Sequence, residues 1–164
     1  MKKLILVLIS LLLLILDNSL MPFLSIWGAF PSLLFIFAVI YSLINGYGEA
    51  LFIGVVSGIL QDIFFSNGIG VNALVNMVIC LIVAYIGNGI FKSKKMVPVA
   101  IVFAATIVKH LVIFVIMHLL KISAPINNIL IVALYNSVIA FIAYKYVLKL
   151  SNTEDVNDKW RFRW

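Results

Sequence analysis

The sequence predicts an all-α membrane protein, a polytopic bundle of six transmembrane helices with both termini in the cytoplasm. Three observations lead to this prediction. Of the 164 residues, 65% are hydrophobic and 11% are charged, whereas a soluble domain is about half apolar and about a quarter charged. Six apolar segments follow one another with short, turn-rich breaks between them. The lysines and arginines cluster in the segments that six crossings would place on one side.

A transmembrane helix needs ~20 mostly apolar residues, and six apolar segments of the sequence are near this length. Five short breaks, rich in proline, glycine and asparagine, separate the segments. The expected spans are residues 4–26 with a break near Pro22, 31–44, 49–65, 71–91, 97–120 and 126–148. No small-x-small cleavage site follows the first span, so we interpret it as a retained helix rather than a signal peptide. With six spans, the chain is expected to divide into a transmembrane domain, 1–150, and a cytoplasmic basic-aromatic tail, 151–164.

The distribution of basic residues sets the orientation. Cytoplasmic loops of membrane proteins carry an excess of lysine and arginine, and with six spans only Lys121 falls on the outer side. The predicted location is the bacterial cytoplasmic (inner) membrane. The residues expected to face cytoplasmic partners or anionic membrane lipids are Lys92, Lys94, Lys95, Trp160, Arg161, Arg163 and Trp164.

Several functional classes are not supported by the residues. The net charge of +6 comes from membrane edges, so it does not indicate nucleic-acid binding. The single cysteine, Cys80, excludes a disulfide framework and has no companion ligands for a metal. No nucleophile–base pair or phosphate-binding loop is recognisable. We therefore expect no enzymatic activity and no cofactor.

Polar residues inside the apolar segments form the first candidate site. Ionisable groups inside a membrane usually face protein or water and need a partner. We expect Lys109 to neutralise Asp62 or Asp17, with amides completing a network. Two interpretations remain open, a layer that only locks the helices together and a substrate or proton site. The expected layer, in the outer half of the membrane, consists of Asp17, Asp62, Asn76, Lys109, His110 and Asn136.

The middle of the chain carries the second candidate site. Glycines four residues apart allow close helix packing, and a glycine-bearing turn and an asparagine follow directly. We expect this stretch to shape either the bundle or a face for a partner helix. Its residues are Gly54, Gly58, Gly68, Gly70 and Asn72.

This middle segment resembles the rod shape-determining protein MreD family of bacteria. The motifs Gly54-x-x-x-Gly58-x-x-x-Asp62 and Gly-x-Asn72-x-Leu look like the family's signature. Pro31, followed by an apolar run, looks like the opening of the family's second span, with Ser32 where an acid or amide is common. Length, short loops and the lysine-rich start also agree.

The resemblance implies a non-enzymatic scaffold of the bacterial cell-elongation complex, or elongasome. Such proteins bind the single-span protein MreC. They thereby help couple MreB filaments to peptidoglycan synthesis by RodA and its penicillin-binding transpeptidase, and so to cell-shape control. The resemblance leaves open whether the protein also forms a homodimer.

A second similarity supplies the main alternative. The MreD family is similar in fold to the substrate-binding subunits of energy-coupling-factor vitamin transporters, which implies a six-helix bundle with an outward pocket. The alternative function is therefore a vitamin-binding subunit. Such subunits commonly dock through small residues on their first helix, whereas residues 4–16 are almost entirely leucine and isoleucine. A small proton-coupled carrier is a third interpretation, which rests on Asp17, Asp62 and His110.

Overall fold

The computed structural model describes residues 2–25, 27–65, 70–89, 96–121 and 128–161, and their side chains except at positions 65, 89 and 152–161. Within these ranges the chain is helical and contains no β-strand. A 3-10 turn, Met21–Leu24, lies between the first two helices. The α-helices are α1 (Lys2–Ser19), α2 (Leu33–Asn45), α3 (Tyr47–Phe65), α4 (Val71–Gly89), α5 (Met96–Leu119) and α6 (Ile129–Arg161).

The all-helical class and the order of six helices are confirmed, and two boundaries differ from the sequence-based expectation. Helix α1 ends at Ser19, before the expected limit of the span near residue 26, and Pro22 opens a 3-10 turn at the place where a break was expected. Helix α6 runs to Arg161, so the tail expected as a segment of its own, 151–164, continues the sixth helix over most of its length. No glycine or proline interrupts that stretch, and these are the residues that most often end a helix.

Helix α2 lies at the centre of the bundle. It packs against each of the other five helices, and every residue from Leu34 to Ile44 is buried. Ser32 caps its first turn by accepting a hydrogen bond from the amide of Phe35. At 13 residues and ~1.5 Å per residue, the helix is only ~20 Å long. The helix begins after the irregular segment 27–32, and its first turn already lies inside the bundle, because Leu34 is buried.

Helices α3 and α4 form the most extensive helix–helix contact, and two glycines permit it. A Cβ atom added to Gly54 would lie 2.8 Å from the Cα of Met77, and one on Gly58 would overlap the backbone of Ala73. Only glycine fits at such close approaches. Of the glycines expected to shape either the bundle or a partner face, Gly54 and Gly58 therefore lie in a helix contact within the chain.

The outside of the bundle is apolar. Four helices, α3 to α6, are long and apolar enough to cross a membrane, whereas α2 is a shorter apolar helix. Helix α1 carries two lysines and an aspartate in addition to its leucines and isoleucines. Its outward face shows large side chains that are half exposed or more: Leu4, Leu8, Leu12 and Ile15. A surface of this kind is expected of a protein that meets lipid rather than water.

The two ends of the bundle differ in their chemistry. At one end α1 begins, and Lys2 Nζ lies 4.0 Å from Glu49 Oε1 at the start of α3. The Oγ of Ser151 donates to Asn45 Oδ1 at 2.7 Å at the same end, which ties α6 to the last turn of α2. At the other end α1 and α3 finish while α2 and α4 start. We call this the network end, because the buried polar side chains gather there.

Candidate functional site

The carboxylate of Asp17 caps the first turn of α2. The amide of Leu33 donates to Asp17 Oδ1 at 2.7 Å, and the amide of Leu34 donates to Oδ2 at 3.1 Å. The hydroxyl of Ser32 also donates to Oδ2, at 3.1 Å. The first amides of a helix have no partner within the helix, and its positive end favours an anion. A side chain of α1 thus satisfies the start of the central helix.

Asp62 does the same for α4. The amides of Gly70 and Ala73 donate to Asp62 Oδ2, each at 2.9 Å, and the amide of Asn72 donates to Oδ1 at 2.9 Å. The side-chain amide of Asn72 adds a bond to Oδ1 at 3.1 Å. Gly70 has a φ of +101°, which glycine adopts without strain. Each aspartate that was expected in a charged layer therefore caps the start of the helix that follows it.

Gln61 connects the helices at the centre of the network end. Its Nε2 donates to Ser32 Oγ at 3.0 Å. Its Oε1 accepts from Lys109 Nζ at 2.6 Å and from Asn76 Nδ2 at 2.9 Å. Asn76 Nδ2 also lies 3.3 Å from Ser57 Oγ. The side chain of Gln61, on α3, thus joins one residue of α4 and one of α5 to Ser32 at the start of α2.

The prediction that Lys109 forms an ion pair with Asp62 or Asp17 is wrong. Its ammonium group donates to Gln61 and lies 4.4 Å from the ring centroid of Phe35. In the described part of the chain it forms no salt bridge with Asp17 or Asp62. The physical reason is that the helix starts already occupy the oxygens of both carboxylates.

Asn136 and Thr106 extend the network to α6 and α5. Asn136 Oδ1 accepts from the amide of Ser32 at 3.1 Å, and its Nδ2 donates to Thr106 Oγ1 at 3.1 Å. His110 Nδ1 lies 2.8 Å from the carbonyl oxygen of Thr106. Because a carbonyl only accepts, that nitrogen carries the proton. His110 and Asn136, which were both expected in the layer, therefore meet through Thr106.

A cavity of about 400 Å³ lies among these groups. Segment 27–32 and helices α2 to α6 contribute to its walls, together with the end of α1. The exposed residues Gly28 and Phe30 belong to its lining, so the cavity reaches the surface there. Its remaining apolar lining includes Phe35, Ile113 and Val132. Its polar lining consists of Asp17, Ser32, Gln61, Asn72, Lys109, His110 and Asn136.

Sequence reasoning found six members of this arrangement and missed four. The six expected residues all lie at the network end, and the five other than Asp62 are linked through uncharged residues rather than by an ion pair. The missed residues share one property, a short or amide side chain within an apolar segment: Ser32, Ser57, Gln61 and Thr106. The signal that could have found Gln61 was its position in the third span beside Asp62.

Some expected residues lie outside this description. Gly68 and the basic loop residues Lys92, Lys94 and Lys95 lie outside the described residues, as do Arg163 and Trp164. The side chains of Trp160 and Arg161 do as well. Among the described side chains, no group of three His, Cys, Asp or Glu residues could hold a metal ion.

The fold and the site together define a class, an α-helical membrane protein whose buried polar groups form hydrogen bonds between its own helices. Comparison with known proteins defines the family. The model of the family described as rod shape-determining protein MreD matches residues 1–153. The chain therefore belongs to the MreD family of membrane proteins involved in rod-shape determination, which confirms the resemblance. No curated protein and no solved structure matches the chain.

Proposed function

We propose that this protein is a non-enzymatic scaffold of the bacterial cell-elongation complex. It binds MreC and helps couple MreB filaments to peptidoglycan synthesis by RodA and its penicillin-binding transpeptidase. The observation that carries the proposal is the family match, which covers 153 of the 164 residues. It extends over all six helices up to the end of the membrane-length part of α6.

The site geometry supports a scaffold. The network end uses its carboxylates to cap helices and its amides to bridge them. Hydrogen bonds between buried side chains of different helices restrict the motion of those helices, although Asn76 Oδ1 has no hydrogen-bond partner among the described residues. A rigid frame is what a protein needs if it holds several partners in a fixed arrangement.

The topology belongs to the same proposal. We place the protein in the cytoplasmic membrane with six spans, so that α1 and α2 cross with the four longer helices. Both termini then lie in the cytoplasm, as the positive-inside rule requires for the clustered lysines. Residues 92–95 and the end of α6 face MreB in this arrangement, and the network end lies toward the outer surface.

The test is capture of partners from native membranes. The protein would carry a C-terminal tag, be crosslinked in its own cells and be solubilised gently before co-purified proteins are identified. We expect MreC, with or without RodA and its transpeptidase. Asp62→Ala should lower MreC recovery if the frame presents the partner face, and Asn88→Ala, at an exposed position near the other end of α4, is its matched control. Absence of all elongation proteins would contradict the proposal.

The cavity favours a second candidate, a substrate-binding subunit of an energy-coupling-factor vitamin transporter. Its volume of about 400 Å³ lies within the range of small-molecule sites. Helix α1 argues against this function, because its one small residue among 4–16, Ser10, is fully buried and bonded to the carbonyl of Leu6. Recovery of a transmembrane energising subunit with ATPases in the same capture would favour the transporter.

A further inference from the structure

Lys109 is a buried lysine whose ammonium donors are only partly used by the residues that the structure describes. Its exposed fraction is 7%, and its Nζ bonds to Gln61 Oε1 at 2.6 Å. An ammonium group has three N–H donors. The ring of Phe35, 4.4 Å away, interacts with the charge but supplies no oxygen. Among the residues that the structure describes, at least one donor of Lys109 is therefore left for another acceptor.

The nearby carboxylates do not fill this role. Both oxygens of Asp17 accept bonds from the segment that starts α2, and both oxygens of Asp62 accept bonds from the segment that starts α4. The positive ends of those helices offset the two negative charges. Asp17 and Asp62 attract the ammonium group of Lys109 from a distance, but in the described part of the chain neither is in ion-pair contact with it. An ionised side chain is costly within a membrane, and an external anion in direct contact would reduce that cost.

The position of Lys109 allows such an anion to reach it. Lys109 lines the cavity of about 400 Å³, which reaches the surface at Gly28 and Phe30. Ligand pockets commonly have volumes of about 300–1,000 Å³. Beside the ammonium group, Ile113 and Val132 provide an apolar wall. The cavity thus offers one cationic donor and an adjoining apolar surface.

We propose that this cavity binds the anionic group of an amphiphilic molecule, a carboxylate or a phosphate, through Lys109. The anion accepts a hydrogen bond from the ammonium, and the hydrocarbon part packs against Phe30, Ile113 and Val132. This chemistry is shared by phospholipid headgroups and by soluble amphiphilic anions. The site is additional to the scaffold function and does not depend on MreC.

The test uses the purified full-length protein in a neutral maltoside detergent. Thermal unfolding is followed by a thiol-reactive dye, because the only cysteine, Cys80, is fully buried. The probes are dihexanoyl phosphatidic acid, octanoate and inorganic phosphate, with octanol as the neutral probe and octyltrimethylammonium as the cationic one. A ligand that binds only the folded protein raises Tm with concentration, which gives its affinity.

We expect phosphatidic acid to raise Tm, whereas octanol and octyltrimethylammonium do not. Lys109→Met should weaken binding by roughly 10- to 100-fold, the range for a hydrogen bond to a charged group. Lys121→Met is the matched control: it removes the same charge from an exposed position after the end of α5, and binding should be unchanged. Val132→Phe fills the cavity, keeps the charge and should also weaken binding.

The outcomes separate the two sources of the anion. A response to phosphatidic acid alone assigns a lipid headgroup, and a response that extends to octanoate or inorganic phosphate assigns a soluble anion. The proposal is overturned if no anion raises Tm, if octanol raises it equally, or if Lys109→Met retains the wild-type affinity. Should Lys109→Met fail to fold, unchanged binding by Val132→Phe overturns the proposal.

Discussion

Replacing Asp17 with alanine removes the acceptor that the start of α2 depends on. The amides of Leu33 and Leu34 then lose their partner, as does the hydroxyl of Ser32. Asp17, which is only 2% exposed, and Leu34 are buried, whereas Ser32 and Leu33 are half-buried. Because α2 packs against all five other helices, we expect the loss to affect the whole fold.

The magnitude follows from the two stranded amides. A buried donor left without a partner costs about 1–3 kcal/mol, so two cost roughly 2–6 kcal/mol. For a chain of 150–250 residues, each kcal/mol shifts Tm by about 2–4 °C. The expected decrease in Tm is therefore roughly 4–24 °C. Asp17→Asn keeps one carbonyl oxygen and should lose about half as much.

The assay is the labelling of Cys80 during a temperature ramp, since this thiol is inaccessible in the folded protein. The matched control is Asn18→Ala. Asn18 is the next residue on α1 and is exposed, and among the described residues it bonds only to the carbonyl of Leu14 in its own helix. Its Tm should stay within about 2 °C of wild type, as for most surface substitutions. If Asp17→Ala unfolds at the same temperature as Asn18→Ala, the carboxylate does not hold α2 in place.

Three further predictions use the same thermal assay. Gly58→Ala places a Cβ against the backbone of α4 and should lower Tm by roughly 2–12 °C. Gly48→Ala is the control, because its Cβ would meet nothing within 4 Å and Tm should not change. Equal effects of the two substitutions would refute the close packing. Gln61→Leu removes the acceptor of Lys109 and should destabilise the folded protein. The double variant with Lys109→Met should lose less stability than the sum of the two single variants, with a coupling of about 0.5–3 kcal/mol. Additive losses would contradict the bond between the two side chains. Ser151→Ala removes the bond from α6 to the last residue of α2 and should lower Tm by roughly 1–6 °C; an unchanged Tm would show that this bond is not stabilising.

The helices could be predicted because their limits are local properties of the chain. Apolar segments near the length of a membrane crossing end at prolines, glycines and asparagines, and the expected spans match α2 to α5 within about two residues. The C-terminal end of α6 could not be predicted in this way. Residues after Ser151 are polar without containing a breaker, and polarity alone does not decide whether a helix continues.

The members of the polar site were predictable, whereas their partners were not. A lysine and two aspartates at similar depth indicate an ion pair if side chains alone are considered. In the structure Asp17 and Asp62 instead bind backbone amides at the starts of α2 and α4. Backbone amides are present at the start of every helix, so no residue type in the sequence indicates that they will bind these carboxylates. Gln61 was overlooked because an uncharged amide gives a weaker signal than the carboxylate beside it.

The short central helix also constrains how the protein is made. An α-helix of 13 residues spans ~20 Å, whereas the hydrocarbon core of a bilayer is ~30 Å thick. During synthesis α2 leaves the ribosome before α3, α4 and α6, which later cover it. Among the described helices that pack against α2, only α1 comes before it in the chain, and Asp17 of α1 accepts bonds from the amides that start α2. We therefore expect the pairing of α1 with α2 to form before the later helices bury α2.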